Sequence, residues 1–331
     1  MVLANKDKSF QLIQYQPVLR TQSVLKELSF QNNNRLSLFI SGDIFKRLIL
    51  PEHETSQTAQ GIAVLRAVHQ LIDGQPKILD DPIIVRMLDD ATCLRLQDHP
   101  EVYQTSRLKA LRVQALIRSR FAEDQLAAAV TRGIRQFVIL GAGLDTFSYR
   151  QPAWANNLQI FELDQPASQA TKRSLLKTAN ITVPPNLAYL EVDFEKDTLH
   201  SVLGHSHFNF AEPAFFSCLG VLMYLTADAV NSILAFVVSM PPPGEIVFSF
   251  ANRAARLDLP GRVSATERKA AQLGEPWLTT SQPDILEQEL HALGFSEVQF
   301  LTPKMILEQY LQNRRDGLPV PRQSSIVSAK V

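Results

Sequence analysis

The sequence predicts an α/β fold, an open doubly wound parallel sheet preceded by a helical segment. Three observations carry that prediction: beyond Gly133 the chain breaks into short apolar runs, helical stretches separate the runs, and the first run leads straight into a glycine turn. A length of 331 residues fits about two domains of roughly 150, or one large α/β domain with an added element. With 45% hydrophobic and 20% charged residues the chain can bury a sizeable core, which excludes a disordered or fibrous protein.

Taken in order, residues 1–55 read as a partly helical N-terminal extension that packs on the main body. It holds a Gln/Asn tract at 31–34 and apolar patches at 36–40 and 48–50, and Pro51 closes it. From Ser56 to Leu71, the positions Ile62, Leu65, Val68 and Leu71 recur at helical spacing. A second helix opens at Asp81 and Pro82, the acid as cap and the proline in the first turn. A long helix over 103–132 ends at Gly133, with Leu108, Leu111, Ala115, Leu126 and Val130 as core candidates. Its basic cluster of Arg107, Lys109, Arg112, Arg118 and Arg120 reads as a solvated face. The apolar runs then predict strands at 137–140, 158–161, 187–192, 214–216 and 245–250. A turn at 241–244 precedes the fifth run, and a helix over 282–293 stops at Gly294. Strands at 295–301 and 324–329 complete seven.

Thirty-three basic residues balance 33 acidic ones, so the long-range attraction typical of a polyanion binder is missing and nucleic acid is not an expected partner. Cys93 and Cys218 stand far apart, which excludes a disulfide framework or structural zinc site and favours a reducing compartment. The N-terminus lacks the apolar stretch of a signal peptide, and the longest apolar run, 214–225, falls short of the ~20 residues that span a bilayer. The expectation is a soluble cytoplasmic protein without a membrane partner.

The sharpest local feature is GAGLDTFSYR at 141–150, a strand running into a two-glycine turn. Small residues there let a ligand approach the backbone at the C-terminal edge of a sheet, although such a turn can also be purely structural. The next strand end, FELD at 161–164, places Glu162 and Asp164 at 19 and 21 residues after Gly143. That is near the spacing at which an acid meets ribose hydroxyls, and both could also be loop charges. The pair reads as a site for an adenosine-type cofactor. A dinucleotide fingerprint needs a small residue where Thr146 stands, and a pyrophosphate would meet the negative charge of Asp145. Asp145 could equally cap a helix. S-adenosylmethionine has no phosphate and carries cationic ammonium and sulfonium groups, so the local charge favours the methyl donor.

Together with these two motifs, SQTAQGIAVLRA at 56–67, Asp81 and Pro82, RSRFAED at 118–124, LGVLMYLT at 219–226, GEIVFS at 244–249, and Gly294 with Phe295 resemble the leucine carboxyl methyltransferase family, which includes small-molecule O-methyltransferases. The resemblance spans residues 56–331 and leaves the first 55 unexplained. It implies a class I, Rossmann-like methyltransferase fold. The seven-stranded sheet would be mostly parallel with one antiparallel member near its end, and residues 56–133 would form a helical cap on a 134–331 core. It also implies that Arg118 pairs with the donor's methionine carboxylate, that Gly141, Ala142 and Gly143 line the methionine part, and that Asp164 holds the ribose. Asp193 and Phe194 would bracket the adenine. Leu219 stands where some relatives carry Glu, so a polar contact made there is absent or replaced.

The expected activity is S-adenosylmethionine-dependent methyl transfer to a carboxylate or hydroxyl of a small molecule. The resemblance also allows a protein's C-terminal carboxylate as acceptor. The glycine turn and ribose acid alone leave room for a nicotinamide-dependent oxidoreductase or a catalytically silent binding module. In-line displacement at an activated sulfonium asks mainly for alignment and exclusion of water, and only a hydroxyl acceptor gains from a general base. No residue stands out as that base. Tyr224, Tyr149 and Arg150 are candidates for acceptor contacts, and His205 with His207, lacking an evident third ligand, reads as a solvated loop pair.

Overall fold

A computed structural model describes residues 56–253 and 265–331. The extension over 1–55 therefore lies outside the described residues.

The helical part comprises α1 (Gln57–Leu71), α2 (Pro82–Met87), α3 (Asp90–Asp98) and the 26-residue α4 (Ser106–Thr131). Ser56 caps α1 by accepting from the Ala59 N–H at 3.1 Å, and Asp81 caps α2 by accepting from the Ile84 N–H at 3.2 Å with Pro82 behind it. Both starts were legible. The expected 103–132 helix is shorter than its apolar spacing suggested, because residues Pro100–Gln104 form a separate 3-10 turn and Thr105 caps α4.

Seven strands among the described residues form one sheet in the order β3-β2-β1-β4-β5-β7-β6: β1 (Gln136–Leu140), β2 (Gln159–Asp164), β3 (Leu187–Glu191), β4 (Ala214–Cys218), β5 (Glu245–Ser249), β6 (Glu297–Phe300) and β7 (Ile326–Lys330). The pairs among β1 to β5 are parallel, and β7 runs antiparallel to both β5 and β6. Side chains alternate across the pleat, which is why the central runs are apolar throughout. Val138 and Leu140 of β1 enter one core with Phe216 and Phe248, whereas Phe137 and Ile139 enter the other with Phe215 and Val247. After β2 comes α5 (Pro166–Thr178) and after β5 comes α8 (Ala265–Gln272). The first face is covered by α6 (Leu199–Gly204), α7 (Ala227–Val238) and α9 (Pro283–Leu293), and the second by α4 through Val113, Leu116, Ile117 and Phe121. Gly294 ends α9 at φ +115°, a conformation that favours glycine.

The sheet order reverses at β1, whose neighbours are β2 and β4. The crevice beyond the C-terminal ends of β1 and β4 is thus the topological switch point, where an open α/β sheet holds its ligand. The basic cluster on α4 departs from the expected solvated face. Arg107 and Arg120 are exposed, but Arg112 is completely buried and Arg118 is mostly enclosed.

Candidate functional site

Three chain segments meet at the switch point. After β1, Gly141 and Gly143 adopt φ of +68° and +45°. The Gly141 and Ala142 amides both donate to the Leu163 carbonyl, at 2.8 and 3.1 Å, which curls the turn over the end of β2. A Cβ on Gly141 would lie 2.3 Å from Val221 Cγ2, so the turn also needs glycine for space. Gly141→Ala is therefore expected to lower the melting temperature and weaken donor binding together, as thermal denaturation with and without donor would show.

At the end of β2, Asp164 accepts the Gly143 N–H on one oxygen and the Gln165 N–H, at 2.7 Å, on the other. Burial raises its carboxyl above the ordinary aspartate range, against the pull of those two amides. After β4, the Gly220 N–H donates to Ser249 Oγ at 2.7 Å, which ties this loop to the end of β5. Gly220 has φ +79°, and a Cβ there would meet Arg118 Nη1 at 2.5 Å. The Arg118 guanidinium therefore lies flat against a residue with no side chain.

No hydrogen bond or ion pair holds Arg118 among the described residues. Burial pushes its pKa down to about 10. Arg66 adds to that push, while Tyr224 and Asp145 oppose it. An arginine enclosed without a counter-ion is poised for an anionic ligand group. The amino-acid carboxylate of S-adenosylmethionine fits that need, and the glycine turn beside it leaves backbone open to the rest of the methionine.

Asp145 does not cap an α-helix, because none follows β1. A three-residue 3-10 turn, Phe147–Tyr149, takes its place, with Asp145 Oδ1 accepting the Phe147 N–H at 2.8 Å. The helix N-terminus on which a dinucleotide's pyrophosphate rests is thus missing from this turn.

Other expected site residues are engaged in the interior. Glu162 is buried, bonded to Lys172 Nζ and Ser148 Oγ at 2.7 Å each and to Tyr149 Oη at 3.4 Å, so the structure gives its oxygens to the core and not to a ribose. Tyr149 pairs its hydroxyl with Tyr189 at 2.6 Å. Arg150 makes a two-pronged pair with Glu123 and donates to Thr146 Oγ1 at 2.9 Å. Glu123 raises the Arg150 pKa against the effect of burial. Through Thr146 and Asp81 this network reaches Arg66 of α1. Arg150 thus braces the glycine turn against α4 and, through Thr146, against α1, while Tyr149 is tied to Glu162 and Tyr189.

Asp193 sits in an exposed turn. Its oxygens take Lys196 Nζ at 2.6 Å and the Glu195 N–H at 3.1 Å, contacts that lower its pKa, the lysine foremost. Phe194 packs against one core and Leu219 against the other. His205 Nδ1 bonds the Ser201 carbonyl at 2.8 Å, and among the described residues no three His, Cys, Asp or Glu side chains converge as a metal site. Tyr224 ends the 3-10 turn after β4, with its hydroxyl 3.5 Å from Thr58 Oγ1 of α1. Thr58 in turn donates to Glu275, a contact the sequence did not announce because 217 residues separate the pair.

Residues 59–238 match the pattern of the leucine carboxyl methyltransferase family. The chain belongs to this family. Its relatives include YktD of Bacillus subtilis (strain 168), named as an S-adenosyl-L-methionine-dependent methyltransferase and 32% identical over 290 residues, which cover 81% of this chain and 95% of YktD. A Mycobacterium marinum protein (strain ATCC BAA-535 / M) with the same kind of name is 30% identical, covering 67% of this chain and 72% of its own length. Among solved structures, a DUF574-family protein of Streptomyces avermitilis superimposes with a TM-score of 0.49 at 15% identity, over 80% of this chain and 96% of that one. This member of the leucine carboxyl methyltransferase family is an S-adenosylmethionine-dependent methyltransferase of class I, Rossmann-like fold. The oxidoreductase and silent-module readings are thereby set aside.

Proposed function

We propose that the protein is an O-methyltransferase acting in the cytoplasm on a carboxylate or hydroxyl of a small molecule. The observation that carries the donor half of this reading is the enclosed Arg118, laid against Gly220 with no hydrogen bond or ion pair among the described residues. Arg118 would receive the donor's carboxylate, the backbone of Gly141, Ala142 and Gly143 its methionine chain, and Asp164 its ribose. Asp193 and Phe194 would border the adenine, and Asp145 would face the donor's positive charge. The acceptor would enter beside Tyr224, which ends the 3-10 turn after β4. Cys93 and Cys218 are both free thiols, in keeping with a reducing compartment, and no helix among the described residues is long and apolar enough to cross a membrane.

The test is incubation of the protein with isotopically labelled donor and a metabolite extract, followed by mass spectrometry. Label in a small molecule, on oxygen, is expected; label confined to a protein C-terminus would overturn the acceptor assignment. Asp164→Ala is expected to weaken donor binding by roughly 1–3 kcal/mol, the scale of hydrogen bonds to a charged group, as titration calorimetry would read. An unchanged affinity would remove Asp164 from the ribose site.

A further inference from the structure

The contact that joins Tyr224, Thr58 and Glu275 has a chemical use. Thr58 Oγ1 donates to a Glu275 carboxylate oxygen, so its one hydrogen is spent there. Thr58 can therefore only accept from the Tyr224 hydroxyl, 3.5 Å away, and from the Ser56 hydroxyl at 2.9 Å. That order of donors directs the Tyr224 hydrogen toward Thr58 and leaves the Tyr224 oxygen lone pairs open. The three groups form a directed chain that starts with an acceptor and ends on a carboxylate.

Its position is beside the donor site. Ala59, next to Thr58, has its Cβ 3.8 Å from where a Gly143 side chain would begin, and Tyr224 acts electrostatically on Arg118. The segment that carries Glu275 is fixed over the same sheet edge. The Leu278 N–H donates to the Met223 carbonyl at 2.7 Å, Thr279 Oγ1 donates to the Leu222 carbonyl at 2.6 Å, and the Ser281 N–H donates to the Ala251 carbonyl at 3.0 Å. Two residues after Glu275, Trp277 keeps its indole N–H out of water without a partner among the described residues.

The geometry points to a proton relay, Tyr224 to Thr58 to Glu275, that serves a hydroxyl acceptor and not a carboxylate. This rests on the O-methyltransferase reading above and narrows its acceptor. The acceptor oxygen bonds to the donor's methyl carbon as the carbon–sulfur bond breaks, and the sulfur keeps that electron pair. The acceptor's proton passes to the Tyr224 oxygen, the Tyr224 proton to Thr58, and the Thr58 proton to Glu275, which ends as a carboxylic acid. A carboxylate acceptor has no proton to give, and Glu275 would place a second negative charge nearby. Tyr224 is then the catalytic residue that touches the acceptor, while Thr58 and Glu275 act through it.

The test uses the full-length protein, methyl-labelled S-adenosylmethionine and a metabolite extract, and sorts the label by bond type. Methyl esters release label as volatile methanol in cold alkali, whereas methyl ethers resist alkali and release methyl iodide in hot hydriodic acid. Ether label is expected. Glu275→Gln keeps an oxygen to accept from Thr58 but cannot take up a proton at neutral pH. It should lower turnover at least tenfold with donor affinity unchanged. Thr58→Val should do the same, and Thr58→Ser should restore turnover, which a merely structural tie would not require. Alkali-labile label, or full turnover in Glu275→Gln, would overturn the relay while leaving O-methylation standing. Absence of label from every small molecule, with donor binding intact, would overturn the O-methyltransferase reading and the relay with it.

Discussion

Arg118→Met is expected to bind S-adenosylmethionine roughly ten- to a hundredfold more weakly than the parent, the scale of a lost hydrogen-bonded charge contact, and yet to melt at a higher temperature when no donor is present. The two effects have one cause. Arg118 is mostly enclosed and has no counter-ion among the described residues, so in the donor-free protein its charge is held at a cost, in line with its lowered pKa. Methionine fills a similar volume without a charge and removes that cost. The donor's carboxylate offsets the same cost when it binds, so the variant loses on binding what it gains in stability. Arg118→Lys should fall between, because a lysine keeps the charge but not the planar fork that can lie along Gly220. Thermal denaturation with and without donor, beside titration calorimetry, reads both quantities. A variant that is destabilised without donor, or that binds donor like the parent, would show that Arg118 is a structural residue.

The residues that became this site were unequally visible in the sequence. The glycine turn, Asp164 and the strand that separates them follow from apolar runs and local spacing, and the structure places Gly143 and Asp164 in direct contact. The central strands β1, β4 and β5 were visible because a sheet covered on both faces must be apolar in consecutive residues. Strand ends were not: β2 reaches Asp164 and not only residue 161, since Glu162 sits inside a strand although it is charged. Buried ion pairs explain the other misreadings. Glu162 with Lys172, Arg150 with Glu123 and Arg112 with Asp73 look like surface charge in a sequence, because each partner lies 10, 27 or 39 residues away. No local pattern shows that such a charge is matched. Glu275 is the extreme instance, since only the folded chain brings it to Thr58.

Breaking the Arg112–Asp73 pair is the most damaging single change expected in the protein, at roughly 3–5 kcal/mol of stability, the usual cost of stranding one member of a buried ion pair. Arg112 on α4 donates through Nε and Nη2 to the two Asp73 oxygens at 2.7 and 2.8 Å, and through Nη1 to the Tyr103 carbonyl at 3.0 Å. His69 completes the cluster. Its Nε2 accepts the Ile78 N–H at 3.0 Å, so its Nδ1 carries the hydrogen and donates to Asp73 at 2.8 Å. All three side chains are buried, and they join α4 to the turn after α1. Arg112→Leu or Asp73→Leu alone leaves an uncompensated charge. The double variant removes both charges and should cost well below the sum of the two, as urea denaturation in a double-mutant cycle would measure.

The same cluster sets an acid limit. Burial outweighs the Asp73 contact and holds the His69 pKa below 6.5 in the folded chain, so the unfolded chain takes up a proton first as pH falls. Stability from this group is thus complete above pH 6.5 and declines below it. Burial acts to raise the Asp73 carboxyl, but the His69 and Arg112 bonds prevail and leave it below 3.8, so its own contribution persists until more strongly acid pH. His69→Gln should therefore flatten the fall in stability just below pH 6.5 while leaving the steeper loss at lower pH. An unchanged pH profile would mean that other histidines govern that range.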